Sequence, residues 1–289
     1  MKGFYRMETE TLKTLQRIQL QILKKVVKVC EKHDLNYYLS EGTLLGALRH
    51  GGFIPWDDDI DISMYREDYN KFLKVAQKEL GENLFVQTGY TDKNYSRYIT
   101  KVRLNDTKYI EYGTADIEMH HGIYIDIFPL DHVVNPSSLT VHIRALLIRL
   151  LFAVKTIKSG RRFSQDTQLK RFLRPLLRPI TLLIPNELIN SAFDYLATLS
   201  NSRDGDYTTN FFSAYGWKKQ LVQNKIYGSG KKVAFENVYL TVPDNPEVIL
   251  SRIYGDYMRL PPESERKGHE VLKVSFGDLG DLDNGEYNL

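Results

Sequence analysis

At 289 residues with 42% hydrophobic content, the chain is long enough for one large or two small domains, and disorder is excluded as its main state. A formal net charge of +3 is too small to argue for a nucleic-acid partner. The single cysteine, Cys30, excludes an internal disulfide and fits a reducing compartment. The opening MKGFYRMETE has no signal-peptide-like apolar run, and no uncharged apolar stretch reaches about 18 residues. A cytoplasmic protein without a spanning helix is therefore expected.

Glu10 to His33 is predicted to be an amphipathic helix. Leu12, Leu15, Ile18, Ile22, Val26, Val29 and Cys30 recur at helical spacing, and a solvated basic face lies opposite. Tyr37 to Leu39 predicts a short strand that Ser40, Glu41 and Gly42 break. Thr43 to His50 predicts a short helix that Gly51 and Gly52 stop. Gly42 and Thr43, at that helix start, offer backbone N–H groups and a hydroxyl to a phosphate.

After Pro55 and Trp56 come Asp57, Asp58, Asp59 and Asp61. Asp59 to Ile62 alternates acid and apolar, so on a strand Asp59 and Asp61 share one face while Ile60 and Ile62 share the other. Asp58 then points away from Asp59 and is expected to matter least. Paired carboxylates repel each other unless a cation sits between them, and hard oxygen ligands suit Mg²⁺. A solvated acidic loop is the bland alternative. A calcium loop with Asp57, Asp59, Asp61 and Asp68 is disfavoured, because Ile62 stands where the turn needs glycine.

Glu67 to Leu80 predicts a second helix and Leu84 to Gln87 a strand. Tyr98 to Leu104 predicts another strand, with Lys101 and Arg103 on one face as candidate phosphate ligands. Tyr109 to Tyr112 returns after a turn. His120 and His121 have no partner motif. In the strand Gly122 to Asp131, Asp126 is one acid among apolar and aromatic residues. A buried charge there needs a partner or a metal, which makes Asp126 the third candidate metal ligand. Asp131, beyond Pro129, reads as a turn residue at the strand end.

Asn135-Pro136 predicts a helix start. From there to about residue 201 the chain reads as a helical insert, in which Pro175 and Pro179 interrupt the later helix. Between Arg144 and Arg178 it carries ten Lys/Arg against one acid, Asp166, amid many Leu, Ile and Phe. That composition suits peripheral contact with an anionic membrane as well as it suits packing on the core. Asp204-Gly205 predicts a turn. Lys232 to Val242 predicts a hairpin turning at Glu236-Asn237, and Asn245-Pro246 starts a helix to Tyr254. The Gly- and Asp-rich tail from Gly277 is expected to be mobile.

GTLLGALRHGGFIPWDDDIDI, the IDIFPLD segment and YGDYMRLPP resemble the LicD family, which includes the fukutin-related ribitol-phosphate transferases. The resemblance covers about residues 36 to 131 and 233 to 262. It implies one α+β catalytic domain with a nucleotidyltransferase-like mixed sheet flanked by helices. It also implies Mg²⁺ (or Mn²⁺) on Asp59, Asp61 and Asp126, and a donor phosphate on Gly42, Thr43, Lys101 and Arg103. The implied reaction moves phosphocholine, or a similar phospho-alcohol, from a CDP-activated donor to a hydroxyl of a cell-surface glycan or its lipid-linked precursor. Asp57 is the candidate base, and Trp56 with the tyrosines would hold a quaternary ammonium by cation–π contact.

Overall fold

The computed structural model describes residues 7–201 and 205–277. The opening MKGFYR, Asp204 of the expected turn and the tail beyond Gly277 lie outside the described residues.

The chain begins with α1 (Thr9–Lys32), β1 (Tyr38–Leu39), α2 (Glu41–His50), β2 (Asp61–Tyr65) and α3 (Arg66–Leu80). Four strands follow, β3 (Leu84–Gln87), β4 (Thr100–Leu104), β5 (Lys108–Glu111) and β6 (Tyr124–Val133). Three helices come next, α4 (Leu139–Ser159), α5 (Gln168–Leu182) and α6 (Asn186–Thr198). The remainder is β7 (Tyr207–Thr209), α7 (Trp217–Gln220), β8 (Val222–Gln223), α8 (Asn224–Tyr227), β9 (Lys231–Phe235), β10 (Val238–Val242), α9 (Pro246–Tyr254) and β11 (Val271–Ser275).

The fold is α+β around a mixed sheet ordered β1-β2-β6-β4-β3, with β7 joining the far end of β6 and β8 pairing β7. Among the described residues only β2 and β6 run parallel, Asp61 lying opposite Asp126. A parallel pair buries both faces, which explains why both strands are almost continuously apolar apart from their acids. Against the sheet, α1 buries Leu15, Ile18, Ile22, Val26 and Cys30, while Lys13, Arg17, Lys28 and Lys32 stay exposed. A second apolar cluster, with Val141, Ile148, Ile189 and Phe193, joins α4 and α6 to Tyr98, Phe128 and Phe212. No helix among the described residues is long and apolar enough to cross a membrane.

Several expectations are corrected. Asp59 precedes β2 rather than starting it. Tyr109 to Glu111 pairs with β11 outside the main sheet. Asp131 is a strand residue, because β6 runs straight through Pro129. Proline is tolerated there since β4 has ended, at Ile127, and β7 has not begun, at Asp131. Ser138 rather than Asn135 caps α4, its hydroxyl accepting the Val141 N–H. Helix α5 continues through Pro175 and Pro179.

Asp131 is fully buried and takes a bidentate pair of 2.8 Å bonds from Arg66, the first residue of α3. Removing one member of a buried pair strands the other charge, which costs about 3–5 kcal/mol. Asp131→Ala should therefore lower stability by about that much in urea unfolding, and Arg66→Met with Asp131→Leu together should cost less than either change alone.

Candidate active site

The acidic loop is held by its backbone before its side chains do anything. From α1, Gln16 donates to the Asp57 carbonyl (2.8 Å) and the buried Gln19 donates to the carbonyls of Asp58 (2.8 Å) and Tyr124 (3.2 Å). The Thr43 hydroxyl accepts the Asp61 N–H at 2.8 Å, and the Ser40 N–H donates to the Asp61 carbonyl at 3.0 Å. The Asp126 N–H donates to the Ile60 carbonyl at 2.8 Å. One carboxylate oxygen from each of Asp59, Asp61 and Asp126 lies within 4.8 Å of the other two.

Burial pushes the carboxyls of Asp57 and Asp61 well above the ordinary range and raises that of Asp59, and the neighbouring aspartates push the same way. Glu41 is raised to about 7 by burial, with the Asp59 and Asp126 charges adding to it. Its backbone is left-handed (φ 47°), an uncommon strain for a non-glycine residue and one that clusters at functional sites. Three cations answer the acids. Lys101 lies 2.6 Å from Asp126 and 3.2 Å above the Tyr124 ring; burial still lowers its ammonium to about 8. Arg97 stays charged against the cost of burial because Glu111 (3.9 Å) and Asp126 attract it. Partial desolvation disfavours His269 as a cation, though its side chain stays 38% exposed, and Asp59 and Asp58 outweigh that and lift it to about 10. A set of three carboxylate donors, Asp61 and Asp126 on paired strands and Asp59 on the loop just before β2, fits Mg²⁺ or Mn²⁺.

The expected residues divide. Asp57, Asp59, Asp61 and Asp126 gather at one point. Gly42 lines the cleft beside them, but a Cβ there would sit 2.6 Å from an Asp57 oxygen, so its smallness makes room for a carboxylate rather than a phosphate. Thr43 is buried and orients Asp61, which replaces the expected phosphate seat. Arg103 is corrected outright. Its guanidinium donates to Gln87 (2.5 Å) and the Gly122 carbonyl (2.6 Å) within the core, out of a substrate's reach. Lys101 reaches the acids instead.

Asp58 is the clearest reversal, being nearly fully buried and fully engaged. It accepts from Tyr109 (2.8 Å), from the His269 N–H (2.9 Å) and from His269 Nδ1 (2.8 Å). A Cβ on Gly268 would strike Asp58 at 2.6 Å, so the Gly268-His269 pair is shaped around it. Nothing in the sequence joins His269 to an acid 211 positions away, and no local spacing marks Arg97, Glu41 or Glu111 as part of the site. His120 is structural, bonded to Asn105 at 2.8 Å and stacked on Phe85.

A cleft of about 820 Å³ opens beside Asp57, within the usual size range of ligand sites. One wall is Gly42, Arg49 and Trp56; the other is the segment around Tyr254, Tyr257, Arg259 and Arg266, with Tyr215. Arg49 ties the two walls through the Tyr257 carbonyl at 2.8 Å, and the Arg266 guanidinium lies 5.2 Å over the Trp56 ring. Aromatic faces and cations thus line a cleft that reaches Asp57.

The model of the LicD/FKTN/FKRP nucleotidyltransferase domain matches residues 34–142, which contain all four gathered aspartates. The chain is 30% identical over 282 residues to the lipopolysaccharide cholinephosphotransferase LicD of Haemophilus influenzae, covering 93% of this chain and 99% of that protein. It is also 29% identical over 107 residues to the human ribitol 5-phosphate transferase FKRP, covering 37% of this chain and 22% of that one. The first of these alignments runs through the acidic loop, the helical insert and the cleft's second wall alike, and on it the chain belongs to the LicD family.

Proposed function

We propose that this enzyme transfers phosphocholine, or a similar phospho-alcohol, from a CDP-activated donor to a hydroxyl of a cell-surface glycan or its lipid-linked precursor. The observation that carries this reading is the meeting of Asp59, Asp61 and Asp126 next to Asp57, which itself lines a cleft of aromatic rings and cations. The named relatives, a lipopolysaccharide cholinephosphotransferase and a ribitol 5-phosphate transferase, support the reaction class.

In this mechanism the acceptor oxygen attacks the phosphorus next to the alcohol. A new P–O bond forms, the bond to CMP breaks, and CMP leaves. Asp57, whose carboxyl is held well above the ordinary range and which lines the cleft, takes the acceptor's proton. Asp59, Asp61 and Asp126 would hold Mg²⁺ or Mn²⁺, which supplies neutralisation of charge on the phosphate oxygens and leaving group. Lys101 holds Asp126 in place. Trp56, Tyr215, Tyr254 and Tyr257 offer ring faces to a quaternary ammonium, each contact worth about 0.5–2 kcal/mol. Arg259 and Lys267 on the cleft wall suit the donor's diphosphate. The enzyme would work at the cytoplasmic face, in peripheral contact with the membrane that carries its acceptor.

A panel of CDP-alcohols with Mg²⁺ and an envelope glycan should release CMP. Pyrophosphate released from a nucleoside triphosphate would instead mark a nucleotidyltransferase.

Asp59→Asn and Asp61→Asn should each slow turnover about a hundredfold or more, since positioned charge supplies several kcal/mol of catalysis. Circular dichroism should stay unchanged, because removing a charge relieves repulsion. Near-normal rates in both variants would remove these residues from the metal site.

The pH dependence has a definite sign. Glu41 moves from an ordinary 4.5 to about 7 on folding, so the folded chain holds an extra proton between these values. Stability then falls as pH rises through that window. His269, raised from 6.5 to about 10, adds a further loss above 6.5. In chelator, the melting temperature should drop between pH 5 and pH 8, and Mg²⁺ should restore it more at pH 8 than at pH 5. Equal stabilisation at both values would count against a carboxylate metal site.

A further inference from the structure

Helix α5 is amphipathic in the wrong direction for a helix on a soluble surface. Leu169, Phe172, Leu173, Leu176, Ile180 and Leu183 recur at steps of one, three and four, which places them on one helical face. That face points outward, its side chains ranging from 40% exposed at Leu173 to 82% at Leu183. Thr181 is the one residue that α5 buries. Its arginines lie on the opposite side, Arg174 half-buried and Arg171 and Arg178 still exposed. Arg171, Arg174 and Arg178 line a cavity of about 370 Å³ with Arg161 and Arg162 from the loop after α4. A patch of large aliphatic and aromatic side chains this continuous needs a cover, since monomeric proteins rarely expose more than a few hundred Å² of unbroken apolar surface.

We propose that α5 docks in the interface of an anionic bilayer, its apolar face among the acyl chains and its arginines at the headgroups. The charge favours this occupant. From Arg144 to Arg178 there are ten cations and one acid, Asp166. A second copy packed face to face would bring two such basic rims together, whereas an anionic leaflet attracts each cation near it by about 1 kcal/mol. An apolar face of Leu and Phe backed by arginine is the pattern of helices lying in a membrane plane. Fifteen residues span only about 22 Å, too short to cross the bilayer and suited to lying along it. The cavity behind the helix also has unused donor capacity, since Arg161 Nε is buried without a hydrogen-bond partner. Lipid phosphates are the complementary acceptors.

The docking surface is joined to the catalytic end. The Arg162 N–H donates to the Gly113 carbonyl at 3.0 Å, two residues beyond Glu111, and Glu111 is held below its usual range because Arg97, Lys101, Arg161 and His269 together outweigh the opposing effect of its burial. The inference rests on the proposed function only for what the membrane presents, a lipid-linked glycan beside the cleft.

Co-sedimentation of the full chain with vesicles tests it. Phosphatidylcholine vesicles containing phosphatidylglycerol should pellet the protein at low salt. Neutral vesicles should pellet it at least about tenfold more weakly, and high salt should weaken the anionic case. Phe172→Asn, Leu176→Asn and Ile180→Asn together, all at exposed positions, should release the protein at any salt while leaving its circular dichroism and its turnover of a soluble acceptor unchanged. A protein that stays in solution with anionic vesicles at low salt overturns the proposal, and so does a triple variant that binds as well as the parent. A dimer seen by light scattering and dissociated by the triple variant would assign the face to a second copy instead, also overturning it. Vesicle binding without turnover of any CDP-alcohol would leave the docking intact and sink the proposed reaction.

Discussion

Like charges crowded at the head of two parallel strands are the constraint on which the rest of this structure depends. Asp59, Asp61 and Asp126 approach within 4.8 Å, with Asp57 and Glu41 beside them. Such a group would spread apart in an unconstrained loop. It is held here by backbone bonds that ionisation does not touch: Gln16 and Gln19 on the loop carbonyls, and Thr43 on the Asp61 amide. The repulsion is then offset by Arg97 just before β4, by Lys101 within it, and by His269 from far along the chain. In the proposed reaction, a hard cation bound by Asp59, Asp61 and Asp126 would offset what repulsion remains.

The same constraint explains why so much of the fold closes on this loop. Asp58 cannot be left as a further free charge, and Tyr109 and His269 satisfy it. The pairing of β5 with β11 is the framework that carries both of those residues to it, Val271 lying opposite Glu111. On the other side, Arg49 anchors the backbone around Tyr257, so the last third of the chain supplies the cleft's second wall. Two strand neighbours show how burial divides labour. Lys101 and Arg103 share a face of β4, yet Lys101 meets Asp126 while Arg103 is consumed by Gln87 and Gly122. One turns to the acid cluster and the other braces the sheet.

Local pattern and family resemblance made a good part of this legible. The α1 periodicity, the strand around Asp126, the β9–β10 hairpin and the glycine stop after α2 appear as read. Those features rest on interactions between residues a few positions apart, and sequence spacing states them directly. The lone acid in an apolar strand, Asp126, was found because a buried charge demands a partner wherever the fold places it. Expectations failed where a side chain had two eligible partners. Thr43 could hold a phosphate or a backbone amide, Arg103 a ligand or the core, and Asp58 solvent or a histidine.

The sequence by itself determined the acidic loop, its strand partner, the mixed α+β class and the basic, apolar composition of the insert. Tertiary structure alone decided what surrounds them: His269 on Asp58, Arg97 between Glu111 and Asp126, and the outward turn of the apolar face of α5. The division has a physical cause. Periodicity records which faces of an element differ, but not which face meets the core. Contacts across some 200 residues leave no spacing to read, because they are fixed by how the sheet and the helices pack rather than by any local preference.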